Sequence, residues 1–305
     1  MKGKIWLFVS ILCIALGLGL FLASGLRSGG DLLEVLDGAG YAERPTEKTY
    51  EVTERFHSVS VESTSDDVRI LPSADGRCRV TCGETERYSY SVKVEKDVLT
   101  VVRKDSGKAR YGFTFVSESI PVCVYLPEKS CKALTVASTS GDVEARDLDF
   151  ERVRIDASSG EVELRAVSVK ELQVSSTSGD LDLKELACSG GMTLHSTSGE
   201  IRLESCTLGS LALSCTSGDV ELIRVDCAGE AKVETTSGEI TLQDVGAGSF
   251  DLSSTSGDVE GSVRGPVDFL VDTNSGDVRT RGGVRGAAPC RVSTTSGDVD
   301  LDAED

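Results

Sequence analysis

From about residue 131 onward, hydrophobic and polar positions alternate in short runs. Leu172, Val174 and Ser176 alternate with polar neighbours before a Thr-Ser-Gly-Asp phrase, and Leu181 and Leu183 alternate after it. Leu211, Leu213 and Cys215 followed by Val220 and Leu222 repeat the pattern, as do Ala231, Val233 and Thr235 followed by Ile240 and Leu242. A period of two marks β-strands rather than helices. Each unit therefore predicts a strand, a tight turn, a second strand and a looser turn of several residues. The parity places the serine just before each glycine, and the hydrophobic residue two after it, on the same inward face.

The phrase recurs with its glycine at Gly141, Gly160, Gly179, Gly199, Gly218, Gly238, Gly257, Gly276 and Gly297, at intervals of 19 to 21 residues. Two short strands with one apolar face bury nothing alone; stacked copies bury a shared interior. The prediction is an all-β fold, a parallel β-solenoid of about nine to ten 19–21-residue coils with two short strands per coil, behind one N-terminal transmembrane helix. At ~4.8 Å per coil, nine coils make a rod about 43 Å long. A corner with positive φ calls for glycine, and the Ser, Thr and acidic side chains around it can bond its free backbone groups. The repeated phrase reads as a corner, not an active site.

The same phase appears earlier in HSVSVESTSDDVRI, where Val59, Val61, Ser63 and Ser65 lead to Asp66 in the glycine's place. This predicts a first coil. Residues 71–130 then read as an insertion with hairpin-like runs, YSVKVEKDVLTVV and IPVCVYLP. Its aromatic residues, Tyr88, Tyr90 and Tyr111 among them, are expected on the surface as possible ligand contacts. At the other end, DVDLDAED is expected to form an open edge guarded by charge.

The N-terminus carries an address. Lys2 and Lys4 precede 22 uncharged residues, 5–26, which span ~33 Å as a helix against a bilayer core of ~30 Å. A cleavable signal has a shorter apolar region, so a signal anchor is expected, with cleavage near Ala23–Gly25 as the alternative. The lysines stay in the cytoplasm by the positive-inside rule. The expected organisation is a cytoplasmic stub (1–4), a transmembrane anchor (5–26), a tether (27–55), a degenerate first coil with its inserted hairpins (56–130) and the regular solenoid (131–305). The localisation is the cell membrane, single-pass, with the C-terminal region extracytoplasmic.

Charge narrows the partners. With Lys2 and Lys4 set apart, the remaining chain holds 30 basic and 50 acidic side chains. That excess argues against nucleic acid and against an anionic membrane surface as partners, and it keeps a repetitive β-protein soluble. The acid after each glycine forms a column: Asp142, Glu161, Asp180, Glu200, Asp219, Glu239, Asp258, Asp277 and Asp298. Calcium between the corners is a weak candidate role, and a turn residue is the preferred one. Thr139, Thr177, Thr197, Thr216, Thr236, Thr255 and Thr295 form an outward ladder.

The material for catalysis is thin. His57 and His195 are the chain's two histidines, and neither has the surroundings of a triad or metal site. Among ten cysteines, Cys206, Cys215 and Cys290 take inward positions and read as small hydrophobes. Cys188 and Cys227 fall in looser turns two coils apart, and Cys78 and Cys82 are about 13 Å apart along one strand; none of these is expected to pair. No enzyme and no cofactor is expected.

The Ser-Gly-Asp/Glu turns, the early FHSVSVESTSDDVRI and the entry IPVCVYLPEKSCKALTVASTSGDVE resemble the bacterial "putative adhesin" family over roughly residues 49–302. The resemblance implies a membrane-anchored β-solenoid in the cell envelope, with no catalytic residues. The expected function is a non-enzymatic surface binding or adhesin-like module whose envelope ligand is unknown. The alternative is an accessory or sensor of envelope stress acting through a membrane protein partner.

Overall fold

A computed structural model describes residues 44–106, 119–127 and 131–304. The expected transmembrane span 5–26 lies outside them, and among the described residues no helix is long and apolar enough to cross a membrane. The described chain is a parallel β-solenoid. Successive coils stack in register, so Val162, Leu181, Ile201, Val220, Ile240 and Val259 form one inward column, each fully buried. Burial of each such side chain stabilises by roughly 1.5–3 kcal/mol.

Each coil has three faces rather than two, which corrects the sequence expectation. The looser turn is itself a short strand. In one coil Leu181–Lys184 forms the first face; the chain bends at Glu185, and Ala187–Ser196 then supplies the second and third faces. The bend residue is left-handed in every regular coil: Asp147, Ala166, Glu185, Ser205, Arg224 and Asp244 all have φ between 50° and 57°. Between the second and third faces, Gly190, Gly209, Gly229 and Gly248 stack closely: a Cβ on Gly209 would lie 2.4 Å from the carbonyl oxygen of Gly190.

The Ser-Gly corner needs glycine for a different reason than the one the sequence suggests. Of the nine glycines only Gly160 and Gly276 have positive φ. What all nine share is close approach to the coil beneath. A Cβ on Gly218 would sit 2.1 Å from the Gly199 oxygen, and one on Gly179 would sit 1.8 Å from that of Gly160. Backbone rests on backbone there, and no side chain fits. The parity reading is corrected too: Ser178, just before Gly179, is exposed, and Ser176 is the buried residue.

The two ends depart from chain order. At the N-terminal end lie β1 (Thr46–Val52), β2 (Ser58–Ser63), β3 (Val68–Pro72), β4 (Cys78–Glu84), β5 (Tyr88–Glu95), β6 (Val98–Asp105) and β7 (Val122–Leu126). β2 and β3 form the coil of Asp66. β6 and β7 are not a mere insertion; they form a further coil stacked parallel on β2 and β3. Antiparallel strands then close that end, β5 on β6, β4 on β7 and β1 on β4. Residues 46–52, expected in the tether, are thus part of the cap.

At the C-terminal end the last coil in sequence is not the last in space. Strand Val299–Glu304 lies between Val259–Arg264 and Val278–Arg281, and Ala288–Ser296 lies between the Phe250 segment and Val267–Ser275. The corner glycines record the same order, Gly297 resting on Gly257 and Gly276 on Gly297. The charged C-terminal strand is therefore an interior one. The open edge belongs to the coil Val267–Arg281.

Candidate functional site

The acid column lies where the sequence places it, and its geometry is structural. Asp142, Asp180 and Asp219 each turn Oδ1 onto the backbone N–H of the acid one coil further on, Glu161, Glu200 and Glu239, at 2.9–3.0 Å. Asp258 accepts the Asp298 N–H at 2.7 Å, and Asp298 accepts that of Asp277 at 2.8 Å. Aspartate has the reach for this bond; the longer glutamates alternate with it from Asp142 to Asp258. Burial and the neighbouring Asp142 push the Glu161 carboxyl up, and a hydrogen bond shared with Glu260 does the same to Glu239. Among the described residues no three His, Cys, Asp or Glu side chains converge as a metal set. The threonines of the outward ladder are exposed, as expected.

Inside the corner runs a column of small, mostly hydroxyl-bearing residues. Ser63 donates to the Asp66 carbonyl at 2.7 Å, Ser138 donates to that of Gly141 at 2.8 Å, and Ser176 accepts the Gly179 N–H at 3.0 Å. Ser196, Thr235, Ser254 and Thr294 continue it, all buried. At Ser63, Ser138 and Ser176 these bonds explain a polar residue at a position otherwise suited to a hydrophobe; Ala157 and Cys215 fill it in two other coils, and among the described residues the buried hydroxyls of Ser196, Thr235, Ser254 and Thr294 have no hydrogen-bond partner.

The predicted ligand-contact tyrosines divide. Tyr111 lies outside the described residues. Tyr90, expected on the surface, is 5% exposed because its hydroxyl donates to Asp66 Oδ2 at 2.5 Å; burial and that bond push its pKa far up. Arg103 donates to the same oxygen at 2.8 Å and to Ser65 Oγ at 2.8 Å, and Ser119 donates to Asp66 Oδ1 at 3.1 Å. Tyr88 is half-buried, with the Arg103 guanidinium 3.9 Å above its ring and Tyr90 edge-on at 6.5 Å. A second buried carboxylate, Glu84, accepts the Tyr50 hydroxyl at 2.5 Å and the Tyr90 N–H at 2.8 Å, and pairs with Lys48. Burial opposes its ionisation, but Lys48, Tyr50 and the Tyr90 N–H together hold its pKa below the ordinary value.

Asp66 thus stands in the glycine's place for a reason. The carboxylate, bonded by Tyr90 of β5 and Arg103 of β6, ties the end of β2 to both strands. Tyr88 and Tyr90 fasten the cap to the rod, and the sequence signal of that fastening was Asp66 itself.

Among the described residues, two of the hollows on the rod are large. One of about 490 Å³ follows the second face, past Phe150, Ser168, Ala187, Thr207, Gly209 and Ala228. The other, of about 850 Å³, opens at the capped end between Glu51–His57 and Gly76–Cys78. Cys188 and Cys227, expected in the looser turns, are buried on the inner side of the second face with Leu208 between them. The nine described cysteines are all buried, and burial pushes the thiols of Cys78, Cys82 and Cys290 up to about 12. His195, exposed, bonds Ser214 Oγ at 3.1 Å.

Against known proteins, no curated protein matches this chain. Among solved structures, a "putative lipid binding protein" from Parabacteroides distasonis is 18% identical, over 85% of this chain and 97% of that one, with a TM-score of 0.54. "Putative adhesin" structures from Parabacteroides distasonis and Bacteroides fragilis are 15% and 12% identical, cover 85% of this chain and 96% and 97% of theirs, and have TM-scores of 0.46 and 0.43. The first likeness shows a shared fold. The Toastrack DUF4097 family model matches residues 56–302, from the strand that opens the Asp66 coil to the interior strand near the C-terminus. This chain belongs to the Toastrack DUF4097 family.

Proposed function

We propose that this protein is a membrane-anchored, extracytoplasmic, non-enzymatic rod that presents a binding surface away from the cell, an adhesin-like module. The observation that carries the reading is the difference between the two ends. The cap, closed by β1, β4 and β5, follows the apolar run 5–26 and the short segment after it. The far end is open, its edge strands paired on one side only among the described residues. A rod tethered at the capped end holds the open end outward. The polar groups at the repeated corners support the reading further, since they serve the stacking of coils rather than one reacting centre. The adhesin and lipid-binding names of the structural neighbours agree with a surface-binding role.

The test uses the full chain, carrying an epitope after Asp305, expressed in a bacterial host. The reading expects the epitope to be reached by antibody on intact cells, and the cells to be retained on immobilised envelope fractions above a vector control. An epitope detected only after lysis would overturn the orientation. Retention no greater than the control would overturn the binding role.

A further inference from the structure

The end coil Val267–Arg281 exposes what every other coil buries. Val278 continues the inward column of Val259 and Val299, yet it is 45% exposed where those two are at most 1%. Thr280 takes the position that Leu301 fills one coil below, and it too is exposed. Leu270 and Val284 complete the set of exposed large hydrophobic residues among those described. All three lie at this one end. The chain from Gly282 to Ala287 folds back over the second face, Val284 N–H donating to the Val267 carbonyl at 2.7 Å. The third face, through Thr273, and the first face, Val278–Arg281, stay uncovered.

We infer that this end is a docking surface for a second copy of the same chain, in a two-fold, tip-to-tip contact. An open β-edge over an apolar interior calls for another strand layer. A head-to-tail stack is blocked, because antiparallel β5 and β4 already cover the other end of the rod. That cap also shows the geometry available, since it seats antiparallel strands on a parallel coil.

A two-fold axis through the Gly276 corner lays each first face antiparallel on the partner's third face. Side-chain parity then restricts the register to alternate positions. One permitted register sets Val278 opposite Thr273 and Thr280 opposite Val271, all continuing the interior. In the same register Arg279 faces Asp272, and Arg281 lies along Leu270. The two strands are complementary in charge: the first face carries Arg279 and Arg281, which within the chain also face Asp300 and Asp302 of the coil beneath, and the third carries Asp268, which accepts the Gly286 N–H, and Asp272. Symmetry makes every such pair occur twice, and opposed charges across a β-ladder favour that register over others. The contact is one coil deep, the size of a reversible interface.

In this arrangement the two capped ends point away from each other. If each rod is anchored at its cap, the pair bridges two membranes, a step that rests on the reading proposed above; the tip contact itself does not.

The test is sedimentation of the full chain in detergent across the micromolar range, with the variants Arg279→Asp, Asp272→Arg and the double swap. The expected result is a concentration-dependent dimer, weakened at least tenfold by either single reversal and restored by the double swap. All three carry the change on exposed side chains, and unchanged thermal melts confirm their folding. A chain that stays monomeric, or a dimer indifferent to both single reversals, overturns the proposal; the latter result would place the contact elsewhere, in the N-terminal segment for example. Phosphatidylcholine vesicles bearing the full chain separate the two claims. Clustering that the single reversals abolish supports bridging of membranes, whereas a tip dimer in detergent without clustering overturns the bridging orientation and leaves the tip contact standing.

Discussion

Replacing Gly218 by alanine tests why the corner phrase repeats. The new Cβ would lie 2.1 Å from the oxygen and 2.7 Å from the carbonyl carbon of Gly199. Restoring ordinary contact requires the two coils to part by about 1 Å or more at this corner. Three backbone bonds cross the gap nearby: Thr216 to Ser196 at 3.1 Å, Ser217 to Thr197 at 2.9 Å and Ile201 to Asp219 at 2.9 Å. Stretched by that amount they cease to be hydrogen bonds. At about 1 kcal/mol each, with buried groups left unpaired, the loss comes to about 3–5 kcal/mol. Gly191→Ala is the control, because its Cβ would meet nothing nearer than Ser210 Oγ at 3.5 Å and its φ is ordinary; it should cost at most ~0.5 kcal/mol. Urea unfolding at 25 °C, followed by far-ultraviolet circular dichroism, measures both. A difference between the two variants below ~1 kcal/mol would refute backbone stacking as the cause of the repeat.

The acid column gives a second prediction: Asp180→Asn keeps an acceptor for the Glu200 N–H and should be neutral or slightly stabilising, while Asp180→Ala should cost about 1 kcal/mol. Millimolar calcium should leave the melting temperature of both, and of the parent, unchanged; a calcium-dependent rise lost in both variants would restore a metal role to the column. The pH dependence of stability follows from carboxylates shifted in opposite directions. The raised pKa values of Glu161 and Glu239 mean that stability is gained as pH falls from neutral through their folded-state values. The lowered pKa of Glu84 means that its stabilisation, complete above the ordinary value of 4.5, is lost as pH falls through its folded value. Melting temperature against pH should therefore peak in the mildly acidic range. Glu239→Gln should flatten the limb between neutral pH and the peak, and a profile unchanged by it would sink this assignment.

The period of two and the 19–21-residue interval were enough to read the solenoid, its register and most of its buried residues. Leu181, Val220 and Ile240 point inward as their alternation predicts. The second face escaped notice because its stretch is too short for alternation to show, and because the bend before it is made by Asp, Ala, Glu, Ser and Arg rather than by glycine. The order of coils at the ends was not legible at all. Corner, strand and interval look alike in the Gly276 and Gly297 coils; only packing decides which lies outermost. The burial of Tyr90 was not legible, because polarity and aromaticity fit both an exposed surface and a buried network. Asp66, a charged residue in a column of glycines, was the one mark in the sequence of the network that buries Tyr90.

Native-state hydrogen exchange, at concentrations low enough to keep the rod monomeric, tests the central claim of a three-faced rod whose last strand in sequence is internal. The structure predicts that amides of Val299–Asp302 are protected like those of Val259–Ser262, while those of Val278–Arg281 exchange earlier as an edge strand paired on one side only. The reverse order, with the C-terminal strand exchanging first and Val278–Arg281 protected, would contradict it.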